Sequence, residues 1–331
     1  MNRHSCHCCL CNLGDTHSDF CPACTKKFFG LKRYKKISAT LPFSMPEIRA
    51  LCGTSYKISI SGAQPKFSLR FLDDTFEVTD QGGTFLLKPA IKGIFDRSRE
   101  MPANEQVTME IARQVFGINT ALCALVHFSD GTPAYITKRF DVKENGERIL
   151  QEDFAQVAGL TPDANGSNYK YDFSYQQIAE LMKRYVSAYS IEAEKFFKLV
   201  LFNYVVCNGD AHVKNFSIHA PNADGIFKLT PAYDLLNTTL HVQELGRCAL
   251  ELFSDDFETD FFKVNAFYGK DDFMEFAKRI GIREIRATRF IEGFCDSYEK
   301  ICELLSRSFL SKRSQSIYKR LVQDRIKALK M

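Results

Sequence analysis

Short alternating runs of polar and apolar residues dominate the first half of the chain. Residues 66–71 alternate in the manner of a half-buried strand, and residues 84–88 form a short apolar run after two glycines. Apolar residues from Val107 onward instead recur every four positions, which is the spacing of one helix face. The pattern predicts strands within 56–90, a helix at about 103–116, and further strands around 122–128 and 134–140.

Helical patterns dominate the second half, from about residue 174 onward. Residues 190–207 place apolar side chains on two adjacent faces, which is typical of a buried helix. Residues 226–236 return to a strand and loop pattern, and long helical stretches follow from roughly 271 to 329. This layout predicts an α+β fold with two lobes, a strand-rich N-lobe at 31–140 and a helical C-lobe at 141–331.

The composition is that of a folded enzyme rather than of a nucleic-acid-binding or membrane protein. The 331 residues are 45% hydrophobic and 25% charged, with a formal net charge of +4. Such a mild charge gives little reason to expect direct binding of nucleic acid. No stretch reaches the roughly 18 apolar residues of a membrane span, and the first residues lack the apolar core of a secretory signal. We therefore expect a cytoplasmic protein.

Twelve cysteines are unevenly placed, with six of them in the first 24 residues. Cys8-x-x-Cys11 and Cys21-x-x-Cys24 are two Cys-x-x-Cys motifs that together offer four thiolates, the donor set of a structural zinc ribbon. A small Cys-rich, zinc-binding element is therefore predicted at residues 1–30. An oxidation-prone tail without metal is the alternative. The ligand set stays open, because other candidate ligands are Cys6, Cys9, His4, His7 and His17.

The segment after the predicted buried helix carries the residues with the clearest chemistry. Asp210 and Asn215 have the separation of the catalytic base and the metal-binding amide in a kinase catalytic loop. Asp234 follows in a second loop and offers another hard oxygen ligand for Mg²⁺. An Asp–Asn pair alone is also common in turns. The three residues together point to phosphoryl transfer from ATP.

Phosphoryl transfer also needs a lysine at the ATP phosphates and a loop that covers them. Lys88 ends an apolar run and suits this role, although an ordinary edge-strand lysine is the alternative. Glu105 or Glu110 on the following helix could orient this lysine, and the sequence does not choose between them. Residues 59–66 carry small side chains and hydroxyls whose backbone amides could meet phosphate oxygens, or they form only a tight turn.

Taken in order, these motifs resemble those of the HipA-like kinases over about residues 55–310. The matching segments are Ile58-Ser59-Ile60-Ser61-Gly62-Ala63-Gln64-Pro65-Lys66, Lys88-Pro89, Asn104-Glu105, Lys138-Arg139-Phe140-Asp141, Gln151-Glu152-Asp153, Asn208-Gly209-Asp210-Ala211-His212-Val213-Lys214-Asn215 and Pro231-Ala232-Tyr233-Asp234. The resemblance implies a protein-kinase-like fold of the phosphatidylinositol-kinase branch. It also implies a Ser/Thr protein kinase that uses ATP and Mg²⁺.

The resemblance further implies a role for each matching residue. Asp210 is expected to be the catalytic base, supported by His212 and Lys214, and Asn215 and Asp234 are expected to hold Mg²⁺. Autophosphorylation is expected at Ser59 or Ser61, where added negative charge would occupy the place of the ATP phosphates. The expected ATP-binding residues are Ser61, Gly62, Ala63, Lys88, Lys138, Phe140, Asp141 and His212, with 138–141 as the hinge at adenine and ribose.

Partners and substrate are likewise expectations that follow from the resemblance. The chain looks more like the short HipT type, in which a separate HipS-like protein supplies an N-terminal piece, than like the longer members. A toxin of a HipBST- or HipBA-like toxin–antitoxin system is implied, with a HipB-like antitoxin through which any DNA contact is indirect. The implied substrate is an aminoacyl-tRNA synthetase. A pseudokinase-like binding module and a small-molecule or lipid kinase are the alternatives.

The C-terminal segment 307–331 is basic, with eight Lys and Arg residues against Asp324 alone. Such a segment could dock on tRNA or on a synthetase–tRNA complex. Apolar residues also recur within it at helical spacing, which indicates an amphipathic helix that packs on the C-lobe and leaves its charges in solvent. We favour this second interpretation, which predicts a buried face made of Tyr318, Val322, Ile326 and Leu329.

Overall fold

The structure is a computed structural model. It describes residues 5–14, 18–52, 65–90, 95–143, 146–222, 225–242 and 248–331. The predicted phosphate-loop residues Ser59, Ser61, Gly62 and Ala63 lie outside these ranges, as do His4 and His17.

One antiparallel sheet of five strands forms the first lobe, with the strand order β2-β1-β3-β5-β4. Its register pairs Leu87 of the third strand with Phe67 of the first and with Ile136 of the fifth. The sheet confirms the strands predicted from alternation. The strands are β1 (Phe67–Leu72), β2 (Thr75–Val78), β3 (Phe85–Pro89), β4 (Cys123–His127) and β5 (Pro133–Lys138).

The two faces of this sheet are covered by different parts of the chain. Alternate residues of β4 separate accordingly, because successive strand side chains point to opposite faces. Ala124 and Val126 pack in the core with the N-terminal segment, whereas Cys123 and Leu125 pack in the core shared with the C-lobe. The covering helices are α1 (Pro22–Phe29) and α2 (Met45–Cys52) in the N-terminal segment and α3 (Met101–Gln114) on the other side.

Helix α3 confirms the helix predicted at 103–116 and is buried along most of its length. It contacts β4 and β5 of the sheet and also the C-lobe. Its backbone begins at Met101 with Pro102 in the first turn, where proline costs no helical hydrogen bond. Because it is buried on all sides, the polar residues on it must find partners inside the protein.

A second, small antiparallel sheet lies next to the predicted catalytic loop, with the order β6-β7-β8. Alternation alone did not predict its first two strands, because each has only four residues. Two short helices follow its first strand. The elements are β6 (Leu150–Asp153), α4 (Phe154–Val157), α5 (Pro162–Asn165), β7 (Ser217–Ala220) and β8 (Lys228–Leu229).

The remaining C-lobe is helical, as predicted, and is built around one buried helix of 17 residues. The final helix buries Tyr318, Val322, Ile326 and Leu329, which confirms the amphipathic interpretation of the basic segment. Among the described residues, no helix is long and apolar enough to cross a membrane. The helices are α6 (Tyr175–Tyr185), α7 (Tyr189–Val205), α8 (Asp260–Asn265), α9 (Lys270–Arg279), α10 (Glu284–Cys295), α11 (Tyr298–Arg307) and α12 (Lys312–Lys330).

Candidate active site

The loop that carries Asp210 begins where the buried helix α7 ends. Cys207 takes a left-handed backbone conformation (φ 55°), which turns the chain sharply after the helix. The amide of Gly209 donates to Thr238 Oγ1 at 2.8 Å, and the Thr238 hydroxyl in turn donates to the Cys207 carbonyl at 3.0 Å. The loop is therefore tied to the segment that follows Asp234.

The Asp210 carboxylate is half exposed, so an incoming hydroxyl group can reach it. The hydroxyl of Tyr171 donates a hydrogen bond to this carboxylate. His212 Nε2 lies 3.9 Å from Asp210 Oδ1. Burial lowers the pKa of His212, which favours a neutral imidazole near neutral pH. Asp210 is thus an accessible proton acceptor, and the Tyr171 hydroxyl holds its carboxylate in place.

Tyr171 is a site residue that sequence reasoning missed. It comes from the segment before α6 and lies far from Asp210 along the chain. A lysine ammonium, that of Lys170, sits 4.8 Å from the centre of its ring. The short segment 168–171 offers only mixed polar and aromatic residues, without periodicity, so no sequence signal marks this tyrosine.

Lys88 is the buried cation of the site. Its Nζ lies 2.7 Å from Glu105 Oε1, and it also makes an ion pair with Asp234. Its side chain and that of Glu105 are each only 6% exposed. The ring of Tyr135 on β5 lies beneath the ammonium, 5.2 Å from Nζ to the ring centre. A strand of the first lobe, helix α3 and the second loop of the C-lobe therefore meet at one ammonium group.

Lys88, Glu105 and Asp234 form a triad in which opposite charges stabilise one another. Burial opposes ionisation of all three groups. For Lys88, Asp234 and Glu105 overcome burial and raise the pKa above its usual value. For Asp234, burial is outweighed by Lys88 and Lys66, which lower the pKa of this carboxyl to about 2. Burial raises the pKa of Glu105, and Lys88 works against that rise. Lys88 and Asp234 are accordingly charged at neutral pH.

The structure decides between the two glutamates that the sequence left open. Glu105 pairs with Lys88. Glu110 instead pairs with Arg113 at 2.6 Å and accepts from the side chain of Gln114. The two glutamates are five residues apart, so they lie on different faces of the helix, and only one can face the sheet lysine.

Asn215 and Asp234 have the donor atoms that Mg²⁺ requires. Among the described residues, Asn215 Oδ1 is a buried oxygen for which no hydrogen-bond donor is found. Buried polar atoms are rarely left unpaired, and such an orphan calls for a ligand or an ion. Asp234 takes a left-handed conformation (φ 56°), a strain that is often found at functional sites. The two oxygen donors fit a magnesium ion chemically.

The remaining predicted residues lie around this centre. Lys214 Nζ pairs with Asp153 Oδ2 at 2.7 Å, which ties the loop of Asp210 to the start of α4. Residues 138–141 lead from β5 toward the small sheet, where the Phe140 ring lies 5.8 Å from that of Tyr233. Asp141 accepts from Arg139 Nε at 3.0 Å. The contact of this segment with adenine and ribose stays a prediction.

A buried amide network joins α3 to the loop after Asp234. Asn104 Nδ2 donates to the Asn237 carbonyl at 2.8 Å and lies 2.9 Å from His241 Nε2. The Asn237 amide donates back to Asn104 Oδ1 at 3.2 Å. The sequence showed Asn104 next to Glu105 but not these partners. The network fixes α3, and with it Glu105, relative to the loop of Asp234.

The N-terminal cysteines converge, but not as the predicted set of four. Among the described residues, sulfur atoms of Cys6, Cys9, Cys11 and Cys21 all lie within 4.8 Å of one another. Cys11 and Cys21 were predicted ligands, whereas Cys6 and Cys9 replace Cys8 and Cys24 in this group. The chain turns back at Leu10, which has a φ of 61° and whose amide donates to the Cys6 carbonyl at 3.0 Å. The Cys6 amide donates to the Cys11 carbonyl at 2.8 Å, so this turn brings Cys6 and Cys11 together.

Comparison with known proteins finds a matching family model and relatives that are named kinases. The family model "HipA-like C-terminal domain" matches residues 58–302. A protein of Haemophilus influenzae named "Putative kinase" is 26% identical over an alignment of 294 residues that covers 83% of each chain. The "Serine/threonine-protein kinase toxin HipA" of Shewanella oneidensis is 24% identical over 61% of this chain and 48% of its own length. The chain thus spans about half the length of this second relative.

Solved structures show the same fold. A Shewanella oneidensis complex of HipA, HipB and operator DNA matches with a TM-score of 0.64 at 22% identity, over 84% of this chain and 66% of the other. The Helicobacter pylori proinflammatory kinase CtkA matches with a TM-score of 0.52 at 13% identity, over 80% and 89%. The fold is therefore the two-lobed, kinase-like α+β fold that the sequence predicted. Since the family model covers most of the chain, the protein is a member of the HipA-like kinase family.

Proposed function

We propose that this protein is an ATP-dependent Ser/Thr protein kinase. The observation that carries the proposal is the buried Lys88 ammonium, which is paired with both Glu105 and Asp234. A lone ion pair is common in structural cores, but this one joins a sheet lysine, a helix glutamate and a loop aspartate that follows a catalytic-loop Asp and Asn. That is the arrangement by which protein kinases hold ATP phosphates and metal.

The proposed chemistry assigns one task to each group. Asp210 accepts the proton of the substrate hydroxyl as the γ-phosphoryl group is transferred. Lys88 holds phosphate oxygens, and Glu105 keeps its ammonium in place. Asn215 and Asp234 would hold magnesium, which when bound would neutralise charge on the phosphates. His212 and Lys214 keep the loop in shape around Asp210.

The finer part of the proposal concerns biology. The Shewanella relative is named a kinase toxin, and its structure is a complex with HipB and operator DNA. By analogy we propose a toxin of a HipBST- or HipBA-like system, with HipS-like and HipB-like partners and an aminoacyl-tRNA synthetase as substrate. Autophosphorylation is proposed at Ser59 or Ser61. Both serines lie outside the described residues, so this part rests on the motif alone.

Intact-protein mass spectrometry tests the proposal directly. Phosphatase-treated wild type, incubated with Mg-ATP, is expected to gain steps of about 80 Da, which map to Ser59 or Ser61. The Asp210→Asn variant is expected to gain none. Wild type that binds ATP, gains no mass and phosphorylates nothing in a cell lysate would contradict a kinase and favour a binding module.

Magnesium dependence tests the role of Asn215. Asn215→Ala removes a buried oxygen donor, and a bond to a charged partner is worth about 1.5–3 kcal/mol. We therefore expect the Mg²⁺ concentration for half-maximal activity to rise about 10- to 100-fold, with kcat largely recovered at high Mg²⁺. Asn168→Ala, a change in the exposed segment before α6, is the matched control. An unchanged Mg²⁺ requirement would show that Asn215 is not a metal ligand.

A further inference from the structure

Six thiols gather at the N-terminal edge of the first lobe, within the part of the chain that the structure describes. The sulfurs of Cys6, Cys9, Cys11 and Cys21 share one group, with Cys9 and Cys21 only 3.7 Å apart. A tetrahedral zinc site with Zn–S bonds of about 2.3 Å has sulfur–sulfur edges of about 3.8 Å. The fifth thiol, that of Cys24, makes side-chain hydrogen bonds with Cys6 and with the sixth thiol, that of Cys8. The Cys9–Cys21 pair already has the sulfur spacing of a zinc site, and the other sulfurs of the group lie within reach of the same ion.

The thiols lie on two short segments, which we call the first hook (Cys6-x-x-Cys9) and the second hook (Cys21-x-x-Cys24). In each hook two residues separate the cysteines, a spacing that lets one metal ion bind both thiolates. The amide of Cys21 donates to Cys6 Sγ at 3.3 Å, and the amide of Cys24 donates to Cys21 Sγ at 3.5 Å. Amides directed at sulfur stabilise thiolates, because a hydrogen bond to the charged form favours that form.

The first hook is fastened to the lobe through three successive carbonyl groups. The carbonyl of His7 accepts from the Leu125 amide on β4 at 2.9 Å. That of Cys8 accepts from Gln106 Nε2 at 2.7 Å, and that of Cys9 accepts from Gln114 Nε2 at 2.7 Å. Both glutamines belong to α3. The residues within and at the end of the hook therefore hold the helix at two points, two turns apart.

The same hook also reaches the other lobe. The His7 ring lies 4.5 Å from the ring of Phe309, which follows α11. Leu10 is fully buried in the core that α3 shares with the C-lobe. Gln106, one of the two glutamines, is the immediate neighbour of Glu105. The hook is thus placed to control the position of the helix that carries the partner of Lys88.

We propose that this cysteine group binds one zinc ion, and that the zinc-bound hook clamps α3 in the position where Glu105 meets Lys88. Cys6, Cys9 and Cys21 are three of the ligands, and the fourth is either Cys11 or Cys24. The second half of this proposal rests on the proposed kinase function, whereas the first half does not. Loss of zinc loosens α3 and so weakens ATP binding without changing any group that touches ATP.

Metal content is the first measurement. Purified wild type, analysed by elemental mass spectrometry after dialysis, is expected to hold about one zinc ion per chain. Replacement by Co²⁺ is expected to give the intense visible absorption of a tetrahedral thiolate site. Cys6→Ser and Cys21→Ser are expected to lose the metal, and Cys302→Ser on α11 is the control that keeps it. Full zinc content in both ligand variants, or none in wild type, would overturn the proposal.

Hydrogen exchange of α3 tests the clamp without reference to kinase activity. Removal of zinc from folded wild type with a chelator is expected to speed exchange of the α3 amides about tenfold, with α6 unchanged. Chelation avoids variants that fail to fold. Gln114→Leu removes the donor to the Cys9 carbonyl, together with its bond to Glu110 on the same helix. It is expected to keep zinc, loosen the end of α3 and raise KM for ATP more than it lowers kcat. Unchanged α3 exchange after zinc removal would overturn the clamp, whatever the phosphotransfer activity.

Discussion

Asp210→Asn is expected to lower kcat for phosphotransfer by about 10²- to 10⁴-fold, the usual contribution of a general base. The amide keeps the size of the carboxylate and can still accept the Tyr171 hydroxyl, so the loop should keep its shape. It cannot take the proton of the substrate hydroxyl. Binding of Mg-ATP should be nearly unchanged, because Lys88, Glu105 and Asp234 remain in place. Single-turnover kinetics and calorimetric titration with ATP separate the two effects.

Asp163→Asn is the matched control for this change. Asp163 is an exposed carboxylate on α5, so its replacement removes the same charge without touching the loop. We expect this control to behave as wild type in both assays. A fall in kcat of less than about tenfold for Asp210→Asn would fall short of a general base and leave Asp210 a structural residue.

Lys88→Met is expected to lower the free energy of unfolding by about 3 kcal/mol and to abolish detectable phosphotransfer. Removal of one member of a buried ion pair leaves its partners as uncompensated buried charges, which costs about 3–5 kcal/mol. Glu105 is nearly inaccessible to water, whereas Asp234 is 30% exposed and is partly relieved by solvent, so we place the effect at the lower limit. Urea unfolding followed by circular dichroism measures it.

Two further variants separate the loss of the buried ion pair from the loss of a lysine in general. Lys143→Met removes an exposed lysine from its pair with Glu147, and surface pairs of this kind contribute about 0–1 kcal/mol. The double variant Lys88→Met with Glu105→Gln removes the stranded charge. It should recover at least about 0.5 kcal/mol relative to Lys88→Met alone, the lower end of coupling between contacting residues. If both lysine variants lost the same stability, the buried triad would have no special role.

The regular elements of this fold could be predicted because their signals are local. Alternation at 66–71 and the apolar run at 84–88 correspond to β1 and β3, and the helical spacing from Val107 corresponds to α3. Strand and helix periods repeat within a few residues, so a single segment carries them. The short strands β6 and β7 escaped prediction because four residues are too few to establish a period.

The catalytic candidates could also be identified from the sequence, since each lies in a short motif. Asp210, Asn215, Asp234 and Lys88 stand at spacings that one chemistry explains, and the structure gathers Lys88 with Asp234. The sequence could not decide between two residues of the same type on one helix. Glu105 and Glu110 differ in the sequence only by position along one helix, and their faces matter only once the sheet is packed against that helix.

Local sequence patterns therefore establish the order of the longer strands and helices, the family, and those candidate site residues that lie in short motifs, because each of these depends on neighbours along the chain. Only the packing of the whole chain establishes the partners of Lys88, the Tyr171 contact with Asp210, and which thiols meet Cys21. Each of these joins residues from different elements. A hydrogen bond or ion pair depends on distances of a few ångströms, and packing of whole elements sets those distances.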